Sequence, residues 1–271
     1  MGLSDNKTMN EKTGLSEANR TYWSQRSTSY SEVNKEELAG ISRHNWASVL
    51  HEEICSHFPS RSPESIRVLD IGTGPGFFAI LLAELGYSVT AVDVTPEMLD
   101  EARENAGELA QRIEFQEMNA EDLCLPDDSY DAVVSRNLTW NLPHPEKAYS
   151  EWHRVLRPDG LLLNFDSNWY GYLFDETARQ NYEADRVSSA ELGLGDQNIG
   201  ENFDVMEDIA RSMPLSDLSR PEWDISVLSG LGFTVSADED IWKKVWTIQE
   251  KTNFSSTPMF MISATSRKAH V

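Results

Sequence analysis

Apolar positions along this chain follow two alternating periods. Leu38, Ile41, Trp46, Val49, Leu50, Ile54 and Phe58 recur at helical spacing, and Pro59 and Pro63 close that helix. A short, mostly apolar run at 66–71 predicts a first strand; a helix over 77–85 follows, stopped by Gly86, and then a second strand over 87–92. Thr95 is placed to cap the next helix, with Pro96 in its first position, and that helix reaches about Leu109. Strands are predicted at 112–118 and 130–135, the latter carrying Ala132-Val133-Val134. Pro145 opens a helix through Tyr149, Trp152 and Leu156, Arg157-Pro158-Asp159-Gly160 reads as a turn, and 161–166 is the fifth strand. Strand and helix alternating in this way predict an α/β fold with a doubly wound, mostly parallel sheet.

The alternation fails on either side of this core. Residues 1–19 are polar and lack an apolar face, which predicts a disordered or frayed tail. An aromatic-rich segment around Tyr22, Trp23 and Tyr30, with the helix after it, makes 20–60 an N-terminal helical lid. Residues 168–220 show no strand pattern, many charges and scattered aromatics, and read as a mostly helical, substrate-binding insertion after the fifth strand. Its aromatics form either a small core of their own or a pocket wall. The pattern resumes with a helix over 221–231 and strands at 233–237 and 257–265, all within one domain over 20–271.

Composition narrows the partners. The 271 residues carry 23 Lys+Arg against 45 Asp+Glu, a formal net charge of −22. Such a surface repels phosphate backbones and anionic headgroups, so the expected partner is a small-molecule acceptor, with neither nucleic acid nor membrane. No run approaches the roughly 20 apolar residues of a membrane span, and 1–19 lacks the apolar core of an export signal. Cys55 and Cys124 have no metal or redox spacing and predict free thiols in a cytoplasmic setting. The histidines show no metal-ligand spacing, so no metal is expected, and a homodimer is compatible with the chain.

The chemistry concentrates in Val68-Leu69-Asp70-Ile71-Gly72-Thr73-Gly74-Pro75-Gly76. Alternating glycines between a strand and a helix leave backbone atoms open to a ligand. Asp93 closes the second strand, at the distance where nucleotide-binding α/β folds place an acceptor for ribose hydroxyls. The loop lacks the G-x-x-G spacing of dinucleotide sites, and Asp70 stands where a pyrophosphate would be repelled. Both features point away from NAD and towards S-adenosylmethionine, a cationic nucleoside without phosphate. An NAD-dependent short-chain oxidoreductase would also need a Tyr-x-x-x-Lys pair, which is missing.

Together with Asn119-Ala120-Glu121-Asp122-Leu123, Tyr130-Asp131-Ala132-Val133-Val134-Ser135 and Val155-Leu156-Arg157-Pro158-Asp159-Gly160, this loop resembles the class I S-adenosylmethionine-dependent methyltransferases over residues 66–166. The loops Asn137-Leu138-Thr139-Trp140 and Asp166-Ser167-Asn168-Trp169-Tyr170 are similar to those of a small-molecule-type subgroup. The resemblance implies a Rossmann-like sheet of seven strands with the last antiparallel. It implies that Gly72, Gly74 and Gly76 approach the cofactor, that Asp70 orients the loop and holds the cofactor's amino group, and that Asp93 takes the ribose hydroxyls. Val94 and Met98 would flank the adenine. Asn119, where the family commonly has Asp, would meet the adenine edge with Ala120 and Glu121. Arg26 and Tyr30 would reach the cofactor carboxylate from the lid.

Ligands of open α/β sheets bind beyond the carboxyl ends of the strands, which puts residues 135–143 and 164–170 beside the sulfonium. Arg136 and Asn137 fall there. Arg136 either binds an acidic acceptor or pairs with Asp166. Trp140 shields the reacting methyl, stacks on an acceptor or packs under the insertion. Asn168 and Trp169 are candidate acceptor contacts, although Asp166 and Asn168 are equally suited to capping their loop. Asp166, His144 and Tyr170 are the candidate bases, needed only where the acceptor arrives protonated, and His144 is as well placed to cap a helix. The expected function is in-line transfer of a methyl group to a small-molecule acceptor. The alternative is an S-adenosylmethionine-binding sensor or partner without transfer activity.

Overall fold

Strands that are apolar on both faces pair into a sheet covered on both sides. In the computed structural model, which describes residues 3–195 and 203–269, seven strands follow the order β3-β2-β1-β4-β5-β7-β6. They are β1 (Arg67–Ile71), β2 (Ser88–Asp93), β3 (Ile113–Glu117), β4 (Tyr130–Arg136), β5 (Leu156–Asp166), β6 (Phe233–Asp238) and β7 (Phe260–Ser266). The first five are parallel, and β7 runs antiparallel between β5 and β6. The strand order reverses at β1 and β4, so a crevice opens beyond their carboxyl ends.

The helices are α1 (Leu3–Ala39), α2 (Ile41–His57), α3 (Phe77–Glu84), α4 (Pro96–Ala106), α5 (Pro145–Val155), α6 (Glu176–Glu191), α7 (Phe203–Ala210), α8 (Glu222–Gly230), α9 (Trp242–Val245) and α10 (Ile248–Asn253). One core joins Trp46, Leu50 and Ile54 of α2 to α3, which is apolar and buried from Phe77 to Ala83. The other joins Tyr149 and Trp152 of α5 to Leu228 of α8. Within the segment expected to be a lid, α2 is therefore a wall of the core, and α1 alone lies across the site.

Two expectations change. Residues 3–19 form the first turns of α1 and not a frayed tail; residues 1–2 of that stretch, and 196–202 of the insertion, lie outside the described residues. Leu15 packs beside the cluster of Tyr22, Trp140 and Met206, and Asn19 Nδ2 donates to Asn141 O at 2.9 Å. The hydrophobic pattern missed this because α1 buries polar residues, Ser27, Ser31 and Asn34 among them. The stretch 157–160 is a bulge inside β5 and not a separate turn. Leu156 pairs with Tyr130 and Leu161 with Ala132, and Asp159 absorbs the excess chain at a φ of 56°.

The insertion splits in two. Met206, Ile209 and Ala210 of α7 pack with Met213 against Tyr22 and Trp140. Tyr182 of α6 stacks on Tyr172 at 4.0 Å. Much of the insertion is thus a small satellite core seated on α1 and β5.

Candidate functional site

A small chamber of about 110 Å³ opens where the strand order reverses. The turn after β1 holds Gly72 at φ 68° and Gly74 at φ 52°, a left-handed region that side chains avoid. A Cβ on Gly72 would lie 2.7 Å from Leu138, so the loop closes only with glycine there. Asp93, at the end of β2, holds the loop open: Gly74 N donates to its Oδ2 and Thr95 N to its Oδ1, both at 2.9 Å. Burial raises the Asp93 pKa above the usual carboxylate range while these amides pull the other way. Val94, Met98, Asn119 and Ala120 complete the wall. Three further lining residues, Asn19, Asn137 and Asn141, each present a buried Oδ1 with no hydrogen-bond partner among the described residues.

Three expected cofactor residues stand behind this chamber and not in its wall. Asp70 is buried beneath the loop, where Thr73 Oγ1 donates to its Oδ2 at 2.6 Å, and burial lifts its pKa to about 7. It ties the loop from below. Gly76 faces Ala102 of α4, 3.0 Å from its own missing Cβ, and so serves helix packing. Glu121 is buried, with its Oε1 accepting from His144 N at 2.7 Å. The Asn119 side-chain oxygen is likewise turned inward, onto Glu121 N at 2.9 Å.

Beyond Tyr30, Trp23, Arg136 and Asn137, which border both spaces, lies a larger chamber of about 1040 Å³. Its walls come from three distant segments. α1 supplies Trp23, Arg26 and Tyr30; the ends of β4 and β5 supply Trp140, Trp169 and Tyr170; residues 246–254 supply Trp246, Glu250 and Phe254. The last segment carries no expected site residue. The signal available in the sequence is Trp242, Trp246 and Phe254 between two strands.

Several candidate residues of this region have other duties. Arg136 does not pair with Asp166: its guanidinium makes a bidentate pair with Glu37 of α1, at 2.8 and 2.9 Å, over the Phe77 ring. Burial works against that charge, but the Glu37 carboxylate outweighs it and keeps Arg136 firmly cationic. Asp166 is wholly buried and fully engaged. Its Oδ2 accepts from Trp140 N and Arg220 Nη1, its Oδ1 from Ser167 N and Trp169 Nε1. It is an anchor for two chamber tryptophans and not a base.

Arg220 also binds Asp224 with Nε and Nη2, at 2.9 and 2.8 Å, and Tyr149 donates to the same carboxylate at 2.5 Å. Asn164 Nδ2 donates to the Tyr149 hydroxyl, closing a fully buried network that joins β5, α5 and α8. His144 caps the start of α5 and lines neither chamber. Asn168 turns away from the large chamber, with its Nδ2 on Arg220 O at 3.0 Å. Tyr170 does face the chamber, 4.9 Å from the Trp140 ring, and burial raises its pKa well above the usual phenol range. It is a donor at neutral pH.

This architecture has known counterparts. YcgJ of Bacillus subtilis superposes with a TM-score of 0.52 at 21% identity, over 81% of this chain and 100% of that one. The 4+2 cyclase SpnF superposes equally well, at 15% identity over 81% and 80% of the two chains. At such identities these show a shared Rossmann-like fold. Residues 69–164 match the family model of a methyltransferase domain. The ubiquinone/menaquinone biosynthesis C-methyltransferase UbiE of Rhodopseudomonas palustris is 35% identical over 137 residues, 48% of this chain and 53% of that protein. The demethylmenaquinone methyltransferase of Deinococcus radiodurans is 37% identical over 136 residues, 49% and 54% of the two. The chain thus spans about half the length of these relatives. No helix among the described residues is long and apolar enough to cross a membrane.

Proposed function

We propose that the protein is an S-adenosylmethionine-dependent methyltransferase acting on a small-molecule acceptor in a reducing, cytoplasmic setting. The observation that carries this is the join between two unlike chambers. The small one has a glycine cradle, a carboxylate and three unpartnered amide oxygens; the large one is aromatic and of ligand-binding size. S-adenosylmethionine fits the small chamber's chemistry, since its ammonium, amino and hydroxyl groups are donors and the chamber offers acceptors. When bound, it supplies a sulfonium-activated methyl group to the acceptor's lone pair.

The protein's part is alignment and exclusion of water. The Asp93 oxygens each take a backbone amide, and the carboxylate stands in the chamber wall where the ribose hydroxyls can donate to it. Gly72 and Gly74 let the ligand approach the backbone, and Val94 and Met98 offer apolar contact to a base. Asn137, on the border of both chambers, presents its oxygen to the cofactor side. Arg26 of α1 reaches the chamber from the lid, where it suits the cofactor's carboxylate. Trp140 and Trp169, held by Asp166, wall the acceptor from water, and Tyr170 orients it by donating a hydrogen bond. The family match ends at residue 164, before Trp169, Trp246 and Glu250, so a relative's acceptor does not transfer to this chain.

Isothermal titration with S-adenosylmethionine, S-adenosylhomocysteine and NAD tests the reading. Micromolar binding of the first two without NAD is expected. Absence of binding by both would leave the glycine loop as architecture and overturn it.

A further inference from the structure

The charges around the large chamber do not balance. At its inner end Glu37 and Glu250 share one guanidinium, that of Arg136, and Glu37 takes both of its strong bonds. Glu250 is held by Thr247, whose N and Oγ1 both donate to Oε2, at 2.7 and 2.8 Å. Arg136 makes its salt bridge to Glu37 and not to Glu250. Burial lifts the Glu250 pKa and the nearby Glu37 adds to the rise, while the Thr247 bonds and the charge of Arg136 oppose it. The other cation of the chamber, Arg26, acts at the opposite end, on Tyr22, Tyr30 and Tyr170. Around Glu250 stand three rings in mutual contact: Trp169 with Trp246 at 6.3 Å, Trp169 with Phe254 at 5.4 Å, and Trp246 with Phe254 at 5.7 Å.

We propose that this chamber selects an acceptor bearing a cationic nitrogen, anchored by Glu250 against the Trp169, Trp246 and Phe254 rings. The inference rests on reading the large chamber as the acceptor site. Both parts of the anchor favour the same ligand. An unpaired carboxylate in a partly desolvated wall gains a counter-ion, and aromatic faces attract cations more strongly when water is excluded. An acidic acceptor would meet like charge at this end, and a neutral one would leave the surplus charge without a counter-ion. The reacting atom is then the part of the acceptor that reaches Tyr30 and Asn137, where the chambers meet.

Three probes of one shape decide it: benzyltrimethylammonium, benzyl alcohol and phenylacetate, titrated into the full chain with tryptophan fluorescence as readout. The ammonium compound should bind at least about tenfold more tightly than the others. Glu250→Gln preserves the Thr247 capping box, because glutamine serves at that position too. It should cut ammonium affinity about tenfold while leaving S-adenosylmethionine affinity unchanged. Equal binding of the three probes, or ammonium affinity indifferent to Glu250→Gln, overturns the inference. S-adenosylmethionine binding without ammonium binding removes this inference and keeps the methyltransferase reading; ammonium binding without S-adenosylmethionine binding keeps a cation site at Glu250 but overturns its role in holding a methyl acceptor.

Discussion

The small chamber takes most of its lining from turns that directly follow β1, β2, β3 and β4, while the large chamber gathers side chains from α1, β5 and the segment before β7. In the first, a backbone conformation makes the site: glycine φ angles, a strand-end carboxylate and the turns that place them. In the second, side chains do, held by a buried ion network rooted in Asp166, Arg220 and Asp224. Backbone sites recur wherever the same turn recurs, and the family match covers residues 69–164, where these turns lie. Side-chain sites are free to vary, and they define the acceptor.

Four variants probe this division. Arg220→Met strands two buried carboxylates and should cost about 3–5 kcal/mol, lowering Tm by roughly 10 °C. A calorimetric scan with less than a degree of change would deny the network its structural role. Asp93→Asn should weaken S-adenosylmethionine by more than about tenfold with the fold retained, since one carboxylate ties the loop and faces the ligand. Near-native affinity by titration would separate Asp93 from the cofactor. Gly72→Ala forces a side chain into a left-handed position against Leu138 and should cost about 1–3 kcal/mol in chemical denaturation. Little loss would mean that the turn has room to spare.

The smallest effect concerns Asp70. Burial raises its pKa from the ordinary 3.8 to about 7 in the folded protein. The native state therefore holds the proton more tightly than the unfolded chain, so this contribution to stability is full below about pH 4 and is lost as pH rises through about 7. Asp70→Asn keeps a partner for Thr73 and removes the titration. Its stability relative to the parent should climb between pH 4 and 7 and level off above. Parallel curves in a Tm-against-pH series would show that Asp70 does not titrate there.

Much of the sheet was legible in the sequence, including the strand ends that carry Asp93 and Asp166, because short apolar runs between glycines and prolines have few other uses; the antiparallel last strand came only from the family resemblance. The glycine loop was legible because its constraint is local. Glu37 and Glu250 were not: each is one acidic residue among 45, and only packing places them at the same guanidinium. Asp166 was visible as a polar residue at a strand end, but its role depends on Arg220, 54 positions away. His144, Asn168 and Glu121 sit beside the site in sequence, yet their hydrogen bonds face inward.

The polar underside of α1 has one more consequence. It meets α4 through Thr28 and Glu101 and through Ser31 and Asn105, at 3.0 Å in each case. Water can replace such bonds almost one for one, whereas an oily seam would resist separation. Along this seam the roof over both chambers is thus fastened to α4 by exchangeable ties, whereas Leu15 and Tyr22 hold its other side to α7 and Trp140 through an apolar cluster.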